Sequence, residues 1–254
     1  MREIIALKEY LLDKENSGNL DNVDAWIRMV AINRLTGHSA GFFSVYSLPP
    51  NQAVSAKRQK KINEQRNQIP EYRPIKPRII KKSKSLLKDW KGNRLDDFWN
   101  DITGILSTSD SRNVAYIPTD SATLVVTSPP FLDVVDYQGD NWLRCWFIGI
   151  DSETIKISQL KKIEDWEKTM TDVLRDLKRI VKPGGHIAFE VGEVRGGKIL
   201  LEENVIHCGI EAGLEPVIIM INDQEFTKTA NAWGVENSKK GTNTNRIVLF
   251  RNDV

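Results

Sequence analysis

Ser128-Pro129-Pro130-Phe131 is the stretch of this sequence best suited to chemistry. It follows an apolar run at residues 124–127, which predicts a buried strand. Because proline has no backbone N–H to donate, two successive prolines cannot continue the hydrogen bonding of a strand. The Ser128 hydroxyl and the Pro129 carbonyl can accept hydrogen bonds, and the fixed φ of proline holds that carbonyl rigidly. Ligands bind at the carboxyl ends of strands in open α/β sheets, so we expect a ligand here.

The predicted elements around this stretch form an α/β pattern. Strand and helix patterns alternate from about residue 101 onward, which is typical of a sheet with parallel strands. The predicted strands are residues 102–106, 124–127, 186–191, 216–221 and 246–251, and the predicted helices are residues 158–181 and 199–212. We expect Ser158 to cap the first of these helices and Pro183-Gly184-Gly185 to stop it.

The long predicted helix has one apolar face, which should pack on the sheet. Its members are Ile163, Trp166, Met170, Val173, Leu174, Leu177 and Val181. A polar loop of about 24 residues joins the last two strands, and this length favours a functional role. Base recognition and simple flexibility are equally good interpretations of its Asn231, Trp233, Lys239 and Lys240.

The N-terminal region is predicted to be mainly helical. Its predicted helices are residues 4–12, a helix capped by Asp21 or Asn22 that ends near Gly37, a polar helix at 55–68 and a basic helix at 81–95. Pro70, Pro74 and Pro77 should hold the chain extended before the last helix. Residues 57–94 contain 14 Lys/Arg and 3 Asp/Glu, although the whole chain has a net charge of +2. This segment suits a nucleic-acid partner, and a solvated helix and linker is the alternative.

The tetrad and its surroundings resemble the DNA methyltransferases that methylate exocyclic amino groups, in the serine form typical of cytosine-N4 enzymes. The resemblance is carried by residues 128–131, 133, 136–137 and 143–149, and by Lys182-Pro183-Gly184-Gly185 before the strand at 186–191. It implies a class I, Rossmann-like, α/β fold, of which this chain holds strands three to seven with helices on both faces. The predicted domains are a helical region at 1–54, a basic helix and linker at 55–100 and a methyltransferase half-domain at 101–254.

The resemblance also implies a reaction. An exocyclic amino group is a poor nucleophile, because its lone pair is delocalised into the base. Ser128 Oγ and the Pro129 carbonyl would accept hydrogen bonds from its two N–H groups and favour a tetrahedral nitrogen. Phe131 would stack on the base after it flips out of the duplex. The methyl donor would be S-adenosylmethionine.

The implied site has three parts. Ser128, Pro129, Pro130 and Phe131 are expected at the reacting group, Asp110, Thr127 and Ser128 near the cofactor, and Asp133, Asp136, Tyr137 and Arg144 near DNA. For the two aspartates of the last group, loop solvation is an equal interpretation. For Tyr137, packing under the loop is a slightly better interpretation than contact with the base. For the segment around Arg144, a packed helix face fits better than DNA contact, and that face would consist of Trp142, Cys145, Trp146 and Gly149. We interpret His38 as a structural residue.

One part of the family pattern is missing. These enzymes bind the cofactor on a glycine-rich loop after the first strand, where backbone must approach the ligand closely. The sequence has no such element, since the nearest cluster, residues 192–197, follows the predicted strand at 186–191. We therefore expect a second polypeptide, or an upstream segment, to carry that loop. Strands three to seven alone would also leave a sheet edge and an apolar face uncovered.

Several alternatives stay open at this point. The target amino group could be adenine N6, or the substrate could be RNA, because RNA amino-methylating enzymes use similar tetrads. A different class of function is a non-catalytic DNA-binding subunit of a defence system.

Composition narrows the class of protein further. The 254 residues are 40% hydrophobic and 28% charged, which is ordinary for a globular domain. No apolar run is long enough for a membrane span, so we expect no membrane partner and a cytoplasmic location. Cys145 and Cys208 are predicted to be buried free thiols. Three scattered histidines give little support for a metal site.

Overall fold

A computed structural model describes most of the chain and groups it into two compact units. The described residues are 2–37, 39–45, 56–67, 69, 71–89, 104–130, 132, 137–155, 160–194, 199–223 and 244–253. The helical unit comprises Met1–Ile105 and Tyr137–Ile157, and the sheet unit comprises Leu106–Asp136 and Ser158–Val254. The predicted domain boundaries, after residues 54 and 100, lie outside the described residues.

The helical unit is built from amphipathic helices around a small apolar core. Its described elements are helices α1 (Arg2–Asn16), α2 (Asn22–Ile32), α3 (Ala56–Gln65), α4 (Ile75–Leu86) and α5 (Tyr137–Phe147), with strands β1 (Thr36–Gly37) and β2 (Ser44–Val45). The core contains Leu11, Val30, Ala31, Leu35, Phe43, Ile75, Ile79 and Phe147. Asp21 caps α2 as predicted, because its carboxylate accepts a hydrogen bond from the Asp24 N–H at 2.8 Å. Helix α2 ends at Ile32 and not near Gly37.

Helix α4 begins earlier than the sequence predicts. We expected an extended chain through Pro77, but α4 starts at Ile75 with Pro74 as its N-cap residue. Pro77 lies in the first turn, where backbone N–H groups have no partner within the helix, so it costs no hydrogen bond there. The part of the predicted helix beyond residue 89 lies outside the described residues.

The sheet unit has the α/β architecture that the sequence predicts. Its described elements are β3 (Ala122–Thr127), α6 (Ile163–Ile180), β4 (Val181–Val194), β5 (Ile199–Leu200), α7 (Leu201–Glu211), β6 (Glu215–Asp223) and β7 (Thr244–Arg251). The main sheet has the order β3-β4-β7-β6, and β5 pairs with β4. Strands β3 and β4 are parallel, and β7 is antiparallel to both β4 and β6. Strand β7 therefore runs opposite to the other three strands of the main sheet.

Two helices cover one face of this sheet. The apolar face of α6 is confirmed, since Trp166, Met170, Val173, Leu174 and Leu177 are all buried. They join a core that includes Ile187, Phe189, Val205, Val248 and Phe250. Helix α6 nevertheless starts at Ile163 with Lys162 at its N-cap position, so the predicted Ser158 cap is wrong. Helix α7 ends as predicted beside Gly213, whose φ of +83° suits glycine.

The Pro-Gly-Gly segment is an irregularity inside β4. Its strand pairing begins at Val181, three residues ahead of Gly184, which has a φ of +76°. A Cβ on Gly185 would lie 2.9 Å from the carbonyl oxygen of Thr123. Glycine at this position therefore allows β3 and β4 to approach closely where their register shifts.

Two strand predictions need correction. Strand β3 is not buried, because Leu124 and Val126 are 56% and 72% exposed. The predicted strand at residues 102–106 is wrong in its described part, since Ile105 and Leu106 are in no strand and are strongly exposed. Apolar residues alone do not make a strand when no neighbouring strand pairs with them.

The two cysteines differ in burial. Both are free thiols, and Cys208 is buried as predicted, whereas Cys145 is only half-buried. Burial raises the pKa of the Cys208 thiol, which keeps it protonated at neutral pH. Among the described residues, none of the helices has the length and apolar character needed to cross a membrane.

Candidate active site

Ser128, Pro129 and Pro130 leave the sheet at the carboxyl end of β3. The parallel pair ends with Thr127 beside Phe189 of β4, and Ser128 follows directly. Ser128 is exposed, and Pro129 is half-buried. Within the part of the chain that the structure describes, no hydrogen bond engages Ser128 Oγ or the Pro129 carbonyl. Both acceptors are therefore open to a ligand at this edge of the sheet.

Two buried side chains hold the loop that follows β3. The indole N–H of Trp166 on α6 donates a hydrogen bond to the Pro130 carbonyl at 3.1 Å. Trp166 itself is 1% exposed, so its ring is fixed by the core. On the other side of Phe131, Leu132 is also 1% exposed and belongs to the same core. Phe131 lies outside the described residues, but both of its neighbours are anchored.

The contact of Trp166 with the Pro130 carbonyl is the part of the candidate site that the sequence did not predict. The helical period placed it on the buried face of α6, but periodicity gives no hydrogen-bond partner for an indole N–H. A signal was available, because a buried tryptophan usually finds an acceptor. That acceptor lies 36 residues away in the sequence, so only the fold identifies it.

Asp110 is engaged by a neighbouring arginine. Arg112 Nε donates to Asp110 Oδ1 at 3.0 Å, and Arg112 Nη2 donates to Oδ2 at 2.6 Å. This fork lowers the pKa of the Asp110 carboxyl to about 2. Each carboxylate oxygen therefore already accepts a hydrogen bond from Arg112, and the described residues directly before Asp110, 104–109, form no strand. The cofactor contact expected of Asp110 stays a prediction.

We expect the Asp110 carboxyl to titrate near pH 2 and to respond to its partner. Because its pKa in the folded chain is lowered from the usual 3.8 to about 2, the pair stabilises the fold above pH 3.8 and stops doing so as pH falls through 2. Replacing Arg112 with Gln should return the pKa toward 3.8. NMR titration of the Asp110 carboxyl carbon measures this pKa. An unchanged pKa in the variant would show that Arg112 does not cause the lowering.

Several of the residues singled out in the sequence, including two of those predicted to contact DNA, lie outside the described part of the chain. Asp133 and Asp136 are not described, and neither are His38, Asn231, Trp233, Lys239 and Lys240. Tyr137 and Arg144 lie on α5 of the helical unit. Arg144 is exposed, and its Nη1 donates to Asn141 Oδ1 at 2.8 Å. On the same helix Phe147 is buried, and Leu143 and Trp146 are partly buried against the core of the helical unit. Gly149 of the predicted packed face is exposed, so the packed residues differ from the predicted set.

The face of the sheet opposite α6 and α7 carries a row of apolar side chains that is exposed at its two ends and half-buried in the middle. Strand register places Val126, Ala188, Leu249 and Ile218 side by side across all four strands. Val126 at one end is 72% exposed and Ile218 at the other is 53% exposed. Helices α6 and α7 pack on the other face of the sheet, against Ile187, Phe189, Val248 and Phe250, and we call the face that carries the row the open face. The outer edge of β3 likewise has no paired strand in the described residues.

No protein-family model matches the chain, and no curated protein matches it. Solved structures with a partial likeness include TTHA0409 of Thermus thermophilus, assigned as a DNA modification methylase and solved with S-adenosyl-L-methionine. The identity is 23%, the likeness covers 58% of this chain and 54% of that one, and the TM-score is 0.35. The PvuII cytosine-N4-specific DNA methyltransferase is 14% identical, with 57% and 47% covered and a TM-score of 0.37.

The likeness is not confined to methyltransferases. The [4+2]-cyclase SpnF is 14% identical, with 58% of this chain and 56% of that chain covered and a TM-score of 0.34. The matched regions span about half the length of these solved structures. At TM-scores below 0.5, such likenesses carry no argument about what this chain does.

Proposed function

We propose that this chain is the base-binding part of an S-adenosylmethionine-dependent DNA methyltransferase that acts on an exocyclic amino group. The observation that carries the proposal is the arrangement after β3. Ser128 Oγ and the Pro129 carbonyl are unengaged among the described residues, while Trp166 and Leu132 anchor the chain that follows. Two unengaged acceptors at the carboxyl end of a parallel strand suit a ligand that donates two hydrogen bonds.

An exocyclic amino group is such a ligand, since it carries two N–H bonds on one nitrogen. Accepting both bonds withdraws the nitrogen from conjugation with the ring and localises its lone pair. S-adenosylmethionine would supply an electrophilic methyl group. The Pro129 carbonyl is held with little freedom to reorient, because the proline ring fixes its φ and Trp166 holds the next carbonyl of the chain. Phe131 would stack on the flipped base.

Cytosine N4 is the target that we favour, because the tetrad begins with serine. Base flipping brings the amino group out of the stack, where acceptors on a protein loop can reach it. Thr127 and Asp110 are proposed near the cofactor, and Asp133, Asp136, Tyr137 and Arg144 near DNA. A DNA substrate and the buried thiol of Cys208 fit a cytoplasmic protein.

We further propose that a second polypeptide or a separate segment supplies the glycine-rich cofactor loop. The sequence has no such loop of its own. The open face and the unpaired outer edge of β3 are suited to a partner, because an exposed edge strand beside exposed apolar residues favours pairing with another strand. Val126 at that edge is the most exposed member of the row.

The 254-residue chain alone is expected not to bind S-adenosylmethionine at micromolar affinity. The physical reason is that a nucleotide-like ligand needs a close backbone approach, which glycine allows and this sequence does not provide after a first strand. Isothermal titration calorimetry measures the affinity. Micromolar binding by the chain alone would overturn the partner proposal and leave the base-binding role intact.

Transfer of tritiated methyl groups to nucleic acid tests the function itself. The chain, assembled with the polypeptide that carries the cofactor loop, should label duplex DNA in preference to RNA of the same sequence. A preference for RNA would overturn the assignment of the substrate. The absence of any transfer by that assembly would overturn the assignment of an enzyme.

A further inference from the structure

Helix α4 has two faces of different character. On the inner face Ile75 and Ile79 are buried in the core of the helical unit. The same face is fixed to α2, because Trp26 Nε1 donates to Ser83 Oγ at 2.9 Å. The outer face is exposed and presents Lys76, Ile80, Lys81 and Lys84, which we call the α4 basic face. Together with Pro77 these side chains line a shallow surface hollow.

The charges of the α4 basic face are not neutralised by the described part of the chain. Helix α4 contains no acidic residue. Among the described residues, Lys76, Lys81 and Lys84 form no ion pair. On α6, by contrast, Arg175 and Arg179 pair with acidic residues three positions earlier. Three unpaired ammonium groups on one ordered helix create a local positive potential.

We propose that the α4 basic face binds the phosphate backbone of DNA. The inference rests on the proposed function for the identity of the nucleic acid. Lysine is a compact charge on a flexible stem with no planar fork, so it suits phosphate contact more than the reading of base edges. Lys76 and Lys84 are about 12 Å apart along the helix axis at 1.5 Å per residue. That length corresponds to about three or four nucleotides of one strand.

A membrane surface fits this helix less well. Interfacial helices bury a broad apolar face among lipids, opposite their basic face. The apolar residues Ile75 and Ile79 of α4 are used inside the helical unit and are not available to lipid. The exposed large apolar side chains on or directly after α4 are Ile80, Leu86 and Leu87, each less than half exposed, and Ile80 lies among the lysines of the basic face. The charge pattern without a free apolar face therefore favours a polyphosphate.

The test compares two triple variants of the full chain that remove the same charge. In the first, Lys76→Gln, Lys81→Gln and Lys84→Gln remove the α4 basic face. In the matched control, Lys162→Gln, Lys168→Gln and Lys182→Gln remove three exposed lysines of the sheet unit. Fluorescence anisotropy with a labelled duplex is measured across a range of salt concentrations, and thermal unfolding checks that both variants fold.

We expect the α4 variant to bind duplex about 10- to 50-fold more weakly at low salt, with the slope of log affinity against log salt reduced by about 2 to 3. The control should stay within about threefold of the unaltered chain, because no clustered contact is lost. Equal slopes for the two variants would overturn the inference. Preferential binding of phosphatidylserine vesicles over duplex by the unaltered chain would also overturn it.

The outcome is separable from that of the proposed function. Normal DNA binding by the α4 variant, in an assembly that transfers methyl groups, would refute DNA binding by the α4 basic face and leave the proposed methyltransferase activity supported. Loss of DNA binding in the α4 variant, in an assembly that transfers no methyl group, would support DNA binding by the α4 basic face and refute the proposed methyltransferase activity.

Discussion

Replacing Ser128 with alanine is expected to lower methyl transfer by the assembled enzyme on the order of 100- to 1000-fold. The substitution removes one of the two acceptors that hold the amino group, and a preorganised group acting on developing charge contributes on this scale. Stability should change by less than about 0.5 kcal/mol, because Ser128 is exposed and its Oγ has no hydrogen bond within the described residues. Single-turnover transfer from labelled cofactor measures the effect.

The matched control is Ser121→Ala, just before the opposite end of β3. Ser121 Oγ donates to the Pro118 carbonyl at 2.6 Å and lies at the amino end of the strand, away from the ligand edge. Transfer should be unchanged in this variant. Duplex affinity should be unchanged in both variants, because a single hydroxyl contributes little to binding dominated by phosphate contacts. Full transfer by the Ser128 variant would show that this hydroxyl does not take part in the reaction.

Replacing Trp166 with phenylalanine is expected to lower the rate of transfer by about 100-fold. The indole N–H that holds the Pro130 carbonyl is lost, and a displacement of about 1 Å at a reacting group costs a factor of this size. The variant should also lose about 1–3 kcal/mol of stability, because a buried ring becomes smaller and a carbonyl loses its partner. As a positioning residue, Trp166 should affect kcat strongly and the KM for DNA only slightly.

Phe250→Leu separates positioning from packing. Phe250 is fully buried in the same core as Trp166, but it lies on β7 and pairs across the sheet with Ile187 and Pro216. The two variants should lose comparable stability in thermal unfolding. Only the Trp166 variant should lose kcat. Equal losses of kcat in both would mean that Trp166 acts through core stability alone.

The arrangement of strands and helices could be predicted because periodicity and chain breakers are strong in the second half of the chain. The apolar face of α6 repeats at helical spacing, and its members from Trp166 to Leu177 are all buried in the structure. Proline after residue 127 ended β3 where expected. Helical periodicity and proline breaks are local properties of the sequence, so the elements that they predict do not depend on which tertiary partners the chain finds.

The burial of β3 and the contacts of the site could not be predicted in the same way. An apolar run such as residues 124–127 looks identical whether its sheet is covered on both faces or on one. The contact between Trp166 and Pro130 depends on how α6 packs. The pairing of Asp110 with Arg112 is local in sequence, but which oxygens it occupies depends on the loop conformation.

The most direct measurement of the central claim is mass spectrometry of nucleosides from duplex DNA treated with the assembled enzyme and S-adenosylmethionine. We expect N4-methylcytosine with the unaltered chain and its near absence with Ser128→Ala. N6-methyladenine in its place would keep the chemistry and correct the target base. A methylated ring carbon, or no methylated base at all, would contradict the role assigned to Ser128 and Pro129.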